Sequence, residues 1–124
     1  MVQKDLPSVA ALSFLGDAVH SCYIREKLVA KHISHAKELN ALAQEYVTAT
    51  AQEEGYCAIA PLLTEEEGDV FRRAFNSPHI NRPRHIKGET YRTATGFEAV
   101  LGMLRYLGRE ERLLELLDKA YEHL

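Results

Sequence analysis

Asp17 lies in the run Phe14-Leu15-Gly16-Asp17-Ala18-Val19-His20, and Glu98 lies in Thr95-Gly96-Phe97-Glu98-Ala99-Val100-Leu101. Each is an acid set among apolar and small residues. Burying a polar group without a partner costs roughly 2–7 kcal/mol, and an ionised carboxylate costs more. Each acid therefore needs a helix cap, a hydrogen-bond network, a cation or a metal ion. On a helix, Asp17 shares its face with Ala10, Ser13, Phe14, His20, Ser21 and Ile24, with no lysine or arginine beside it. Around Glu98 stand Tyr91, Ala94, Thr95, Leu101, Gly102 and Arg105. Gly16 and Ala18 flank the first acid, and Gly96, Ala99 and Gly102 surround the second, so both surfaces permit close backbone approach. Packed together, the two helices bring like charges near enough to repel and to raise one pKa. A divalent cation relieves that conflict, and oxygen-only ligation with positions open to water or phosphate suits Mg²⁺. The bland alternative has Asp17 bonded to a cap or to buried backbone and Glu98 paired with Arg105 or another core cation. Spacing alone leaves both open.

Helical periodicity dominates the chain, and strand alternation is absent, which predicts an all-α fold. The first helix is expected from Pro7–Ser8 to about His32, with proline in the first turn. A second starts after Ser34 as N-cap, carries Leu39, Leu42, Ala43, Tyr46, Val47 and Thr50 on one face, and breaks at Gly55 towards Pro61. Thr64-Glu65-Glu66-Glu67 is a capping box opening a third helix through Arg73. Residues 74–89 form a long loop with two prolines and a glycine, a length that points to function. A fourth helix spans Thr90 to Leu107, Gly108 stops it, and a fifth runs from Arg109 to His123.

The 124 residues suit one domain, 1–124, able to bury about two thirds of its unfolded surface. Cys22 and Cys57 form no CxxC pair and are too few for a disulfide framework, so they are expected as small core residues in a reducing cytosol. The opening MVQKDLPSVAAL shows no signal pattern, and no stretch approaches the ~20 apolar residues of a membrane span. A soluble, cytoplasmic protein without a membrane partner is the expectation.

The formal net charge of −3 conceals an uneven distribution. Between Val70 and Arg92 stand six cations (Arg72, Arg73, Arg82, Arg84, Lys87 and Arg92) against one acid, Glu89, whereas the rest carries nine bases and seventeen acids. Such a basic island suggests a local anionic partner. His20, His79 and His85 lack metal-ligand spacing. His20, one turn from Asp17, is placed to order a water or a phosphate; a helix-surface or interface role is the plainer reading. Tyr91 is either an orienting hydroxyl for Glu98 or a partly buried core tyrosine. Phe14, Leu15, Val19 and Tyr23 are expected in the core or at a dimer interface.

FLGDAV followed some eighty residues later by TGFEAVLG resembles the catalytic domain of the ribonuclease III superfamily, whose signature pairs a GDA-containing helix with a later EA(L/V)(I/L)G helix. The YRTATGFEA segment, the short length and the preceding basic loop resemble most closely the Mini-ribonuclease III subfamily, which lacks a double-stranded-RNA-binding domain. The likeness extends from about Leu12 to Leu117. It implies a ribonuclease III-like helical endonuclease fold and a homodimer whose valley accepts double-stranded RNA, with Asp17 and Glu98 as catalytic residues and metal ligands. It implies Mg²⁺ as cofactor, with Mn²⁺ able to substitute, and hydrolysis to 5′-phosphate and 3′-hydroxyl ends, with a large-subunit ribosomal RNA precursor as the usual substrate. Ser13 and Thr95 stand where the larger enzymes carry two further acids, and with Tyr91 and His20 they are the supporting residues. Arg72, Arg73, Asn76, Arg82, Arg84 and Lys87 are the expected RNA contacts. One departure is Arg73-Ala74-Phe75-Asn76 where the subfamily usually shows RGRN. A non-catalytic RNA-binding or ribosome-assembly module on the same fold is the alternative function, and a helical adaptor without a nucleic-acid partner is a third reading.

Overall fold

Ser8 adopts an extended conformation, and its hydroxyl accepts from the Ala11 amide at 3.1 Å, so α1 (Val9–Ala30) begins directly after the expected Pro7–Ser8, with Ser8 as N-cap and Pro7 ahead of the helix and not in its first turn. The computed structural model describes residues 5–78 and 87–124. Leu12, Val19, Tyr23, Ile24 and Leu28 form the buried face of α1. His32, at φ 65°, then turns the chain in the left-handed region while its amide bonds Val29 O.

The next segment departs from expectation. It forms two helices, α2 (Ala36–Val47) and α3 (Ala49–Ile59), and the break falls at Thr48. His35 stands at the α2 N-cap in place of Ser34, without a side-chain cap bond. Thr48 is extended, and its hydroxyl accepts from the Ala51 amide at 3.2 Å, which offers the backbone a cap in place of a continuous helical ladder. Gly55 lies inside α3, where a Cβ would stand 2.9 Å from the Tyr121 hydroxyl. Its glycine makes room for a side chain and does not end the helix.

A short 3₁₀ turn, Ala60–Leu62, leads into α4 (Glu65–Phe75). The capping box forms as read: Thr64 Oγ1 accepts from the Glu67 amide at 3.2 Å, and Glu67 Oε1 accepts from the Thr64 amide at 2.9 Å. The same buried carboxylate receives Arg112 Nη2 at 2.8 Å and Nε at 2.9 Å, and Arg112 also donates to Leu62 O. Burial pushes the Glu67 carboxyl up, but the bonds from Arg112 and Thr64 outweigh it and hold the group below the usual range. α4 runs to Phe75, past the expected end at Arg73, because Ala74 is buried and Phe75 packs beside Phe71.

Helix α5 (Gly88–Tyr106) is the centre of the molecule, buried on nearly all sides from Ala99 to Leu104. α1, α3 and α4 pack on it, α2 flanks α1, and α6 (Glu110–Ala120) closes the base against α3 and α5. Gly108, at φ 74°, turns the chain between α5 and α6. The closest approach is between α1 and α5. A Cβ on Gly16 would overlap the Glu98 carbonyl, and one on Gly102 would overlap the Leu12 carbonyl.

Six α-helices and no strand are found among the described residues, in agreement with the all-α expectation. No helix among them is long and apolar enough to cross a membrane. One expectation of burial fails. Cys22 and Cys57 are both exposed, because each sits on the outer side of its helix. Phe14, expected in the core or at a dimer interface, is 83% exposed and so lies outside the core of this chain, since its neighbours Ser13 and Leu12 take the inward positions of α1.

Candidate active site

The glycine contacts between α1 and α5 carry Asp17 and Glu98 to the same place. Their carboxyl groups lie within hydrogen-bonding reach of each other, Asp17 exposed and Glu98 half-buried. Burial, and then the negative charge of Asp17, push the Glu98 carboxyl up from its ordinary value of 4.5 to about 8. Arg105, the nearby cation on α5, turns away to Glu110, with Nε 2.7 Å from Oε2. Among the described residues no ion pair includes Asp17 or Glu98. The bland reading, a core cation neutralising Glu98, is therefore absent there.

Neutral donors hold Glu98 instead. Ser13 Oγ donates to Oε1 at 3.2 Å and Gln52 Nε2 donates to Oε2 at 3.2 Å. Ser13 thus joins the site from α1, at a position singled out in the sequence. Thr95 spends its hydroxyl on the Tyr91 carbonyl at 3.0 Å, one turn back along α5. Among the described residues no bond joins the Tyr91 hydroxyl to Glu98; the ring lines the cleft beside it. No group of three or more acids, histidines or cysteines suited to a metal occurs among the described residues; the acids that meet here are the pair Asp17 and Glu98.

His20 differs from its expected helix-surface or interface role. It is fully buried, edge-on to Phe97 and Tyr121, with Nε2 2.6 Å from the Tyr121 hydroxyl and Nδ1 3.4 Å from Gln52 Nε2. Burial lowers its pKa to about 4, against the opposing pull of Asp17, so the ring is neutral near pH 7. Sequence reasoning missed Gln52 and Tyr121. A signal existed for the first: Gln52, Gly55 and Ile59 share one face of α3 at helical spacing, placing a long polar side chain on a stripe that has to be buried.

An open cleft of about 1130 Å³ runs past the carboxylates, walled by Ser13, Phe14, Asp17, Lys87, Tyr91 and Glu98, among others. Lys87 is exposed at the start of α5. Arg72 and Arg73 are exposed on the last turns of α4 and share Asp69 at 3.5 and 3.9 Å; Asn76 is the exposed C-cap. Arg92, counted in the basic island, turns inward and donates to the Phe75 and Ser77 carbonyls at 2.8 and 3.4 Å, bracing the end of α4. Arg82 and Arg84, with His79 and His85, lie outside the described residues. The Ala74-Phe75 departure falls within α4, where both side chains pack inward, and leaves Arg73 and Asn76 exposed.

The ribonuclease III domain family matches residues 10–108. A Mini-ribonuclease 3 of Thermoanaerobacter is 43% identical over 115 residues, covering 93% of this chain and 81% of the relative. The Mini-ribonuclease 3 of Streptococcus pneumoniae is 36% identical, covering 95% and 94%. A crystal structure of a Fusobacterium nucleatum protein superposes with a TM-score of 0.86 at 27% identity, covering 99% of this chain and 98% of that one. The matched span takes in α2 to α5, nearly all of α1, the glycine contacts and the paired acids, and the chain belongs to the ribonuclease III family of endoribonucleases.

Proposed function

We propose that the chain is a divalent-metal-dependent endoribonuclease that cuts double-stranded RNA, acting in the cytoplasm as one catalytic domain and as a homodimer, in the maturation of precursor ribosomal RNA. The observation that carries this reading is the meeting of Asp17 and Glu98 on the cleft wall with no cation joined to either among the described residues. Such a pair is an oxygen-only donor set with excess negative charge, which fits Mg²⁺ and accommodates Mn²⁺. Asp17 and Glu98 would hold the ion, which supplies water activation and charge stabilisation at the phosphoryl and leaving oxygens.

The chain's own residues supply the rest. Ser13 and Gln52 keep the Glu98 carboxylate in one orientation. Lys87 stands by the cleft, and Arg72, Arg73 and Asn76 stand at the end of α4, as donors to phosphate. Duplex RNA is recognised by shape through phosphates and 2′ hydroxyls, which suits such an array. The exposed Phe14 ring beside Asp17 supports the homodimer, since a second copy would cover it. Hydrolysis leaves 5′-phosphate and 3′-hydroxyl ends.

The test is incubation of the purified protein with a long RNA duplex and Mg²⁺, beside an EDTA control. Cutting that EDTA stops is the expected result. A mobility shift without cutting favours an RNA-binding module, and neither outcome favours an adaptor. Mg²⁺-dependent cutting retained by Asp17→Asn would discard the residue assignment.

A further inference from the structure

Glu98 is tied to the opposite side of the core by a chain of three side chains. Gln52, 3% exposed on α3, directs Nε2 to Glu98 Oε2 at 3.2 Å and to His20 Nδ1 at 3.4 Å. On the far side of the imidazole, Nε2 lies 2.6 Å from the hydroxyl of Tyr121, which follows α6. Gly55 makes the last link possible, since a Cβ there would crowd the Tyr121 hydroxyl at 2.9 Å.

With Glu98 ionised, as it must be to hold a cation, the chemistry of these groups leaves one self-consistent arrangement. A carboxylate only accepts, so the Gln52 amide must present its nitrogen to Glu98 and not its carbonyl. The second hydrogen of the same nitrogen then meets Nδ1, which must be the bare nitrogen of a neutral imidazole. The ring proton sits on Nε2 and is donated to the Tyr121 hydroxyl. Reversing the amide would set its oxygen against Glu98, and moving the ring proton to Nδ1 would set donor against donor. Each member thereby fixes the orientation of the next.

We propose that Gln52 is a positioning residue for RNA cleavage, locked by His20 and Tyr121 so that it holds the Glu98 carboxylate ready for a divalent cation. This rests on the nuclease reading above. Where only two acids meet, neutral donors orient one of them without adding charge. Ser13 takes Oε1 and Gln52 takes Oε2, which leaves each oxygen a lone pair for the ion.

The test compares Gln52→Met and Tyr121→Phe with the parent. Gln52→Met keeps the length of the side chain without the amide. It should lower kcat on an RNA duplex by about 10- to 100-fold, leave KM for the duplex within about twofold, and weaken Mn²⁺ binding to the RNA-free protein about tenfold by calorimetry. Tyr121→Phe, which keeps the ring and removes one hydroxyl, should lower kcat by a smaller factor, again without change in KM. A folded Gln52→Met protein with parental kcat and parental Mn²⁺ affinity overturns the proposal. Should Gln52→Met fail to fold, ¹⁵N spectra of the parent in saturating Mg²⁺, which keeps Glu98 ionised, decide together with Tyr121→Phe. A bare Nδ1 on His20 and a reduced kcat in Tyr121→Phe support the relay; a proton on Nδ1, or parental kcat, overturns it. Were the parent itself unable to cut RNA, the nuclease reading would fall, while Mn²⁺ affinity and the His20 tautomer would still decide whether Gln52 positions Glu98.

Discussion

The backbone of Gly16 lies directly against the main-chain carbonyl of Glu98, and this contact sets how closely α1 and α5 approach. A methyl group at Gly16 would have to displace backbone, and no flexible side chain is there to yield. Gly16→Ala should therefore destabilise the fold by about 3 kcal/mol, the upper end of the usual overpacking range. Urea denaturation measures this, and an unchanged midpoint would contradict the close packing.

Glu98 links stability to pH with a definite sign. Its carboxyl is raised from 4.5 to about 8 by burial and by Asp17, so the folded state keeps a proton that the unfolded chain releases. Stability from this group is present at low pH and is lost as pH rises from about 4.5 to about 8. Glu98→Gln should stabilise the metal-free protein, by on the order of 1–3 kcal/mol at pH 8 and by little at pH 4.5, while abolishing cleavage. Urea titrations of both proteins in EDTA at the two pH values measure the difference.

The same shift makes cation binding compete with a proton. Mn²⁺ affinity of the RNA-free protein should rise between pH 6 and pH 8, with proton release on binding. Calorimetry in two buffers of different ionisation enthalpy reads the released proton, and a pH-independent affinity would count against Glu98 as ligand.

Arg112 spans the Glu67 carboxylate that caps α4 and so ties α6 to α4. Arg112→Met leaves that carboxylate buried without its cation and should destabilise the protein by about 3–5 kcal/mol. Glu67→Gln, which keeps a hydrogen-bonding group, should cost less. Thermal unfolding of the two variants gives the ranking.

Arg72 and Arg73 remain available to RNA, because exposed pairs such as those with Asp69 contribute only about 0–1 kcal/mol. In a non-cleaving Asp17→Asn background, duplex affinity should fall steeply between about 50 and 200 mM salt. Replacing both arginines with alanine should weaken binding and reduce the salt slope by about one to two. An unchanged slope would remove them from the interface.

What the sequence determined by itself was local or carried by residue type. The start near Pro7–Ser8, the Thr64–Glu67 box and the stop at Gly108 depend on backbone only a few residues away, so they are legible in order along the chain. The small residues around Asp17 and Glu98 likewise announce helices able to meet closely, and the two acids do meet. Tertiary structure decided the rest. Gln52 reaches Glu98 across 46 positions and His20 reaches Tyr121 across 101, distances over which no spacing rule operates. The break at Thr48, the exposure of Cys22 and Cys57, and the inward turn of Arg92 follow the same logic. A side chain's face and partner are set by which helices close around it, and that choice belongs to the whole packed core.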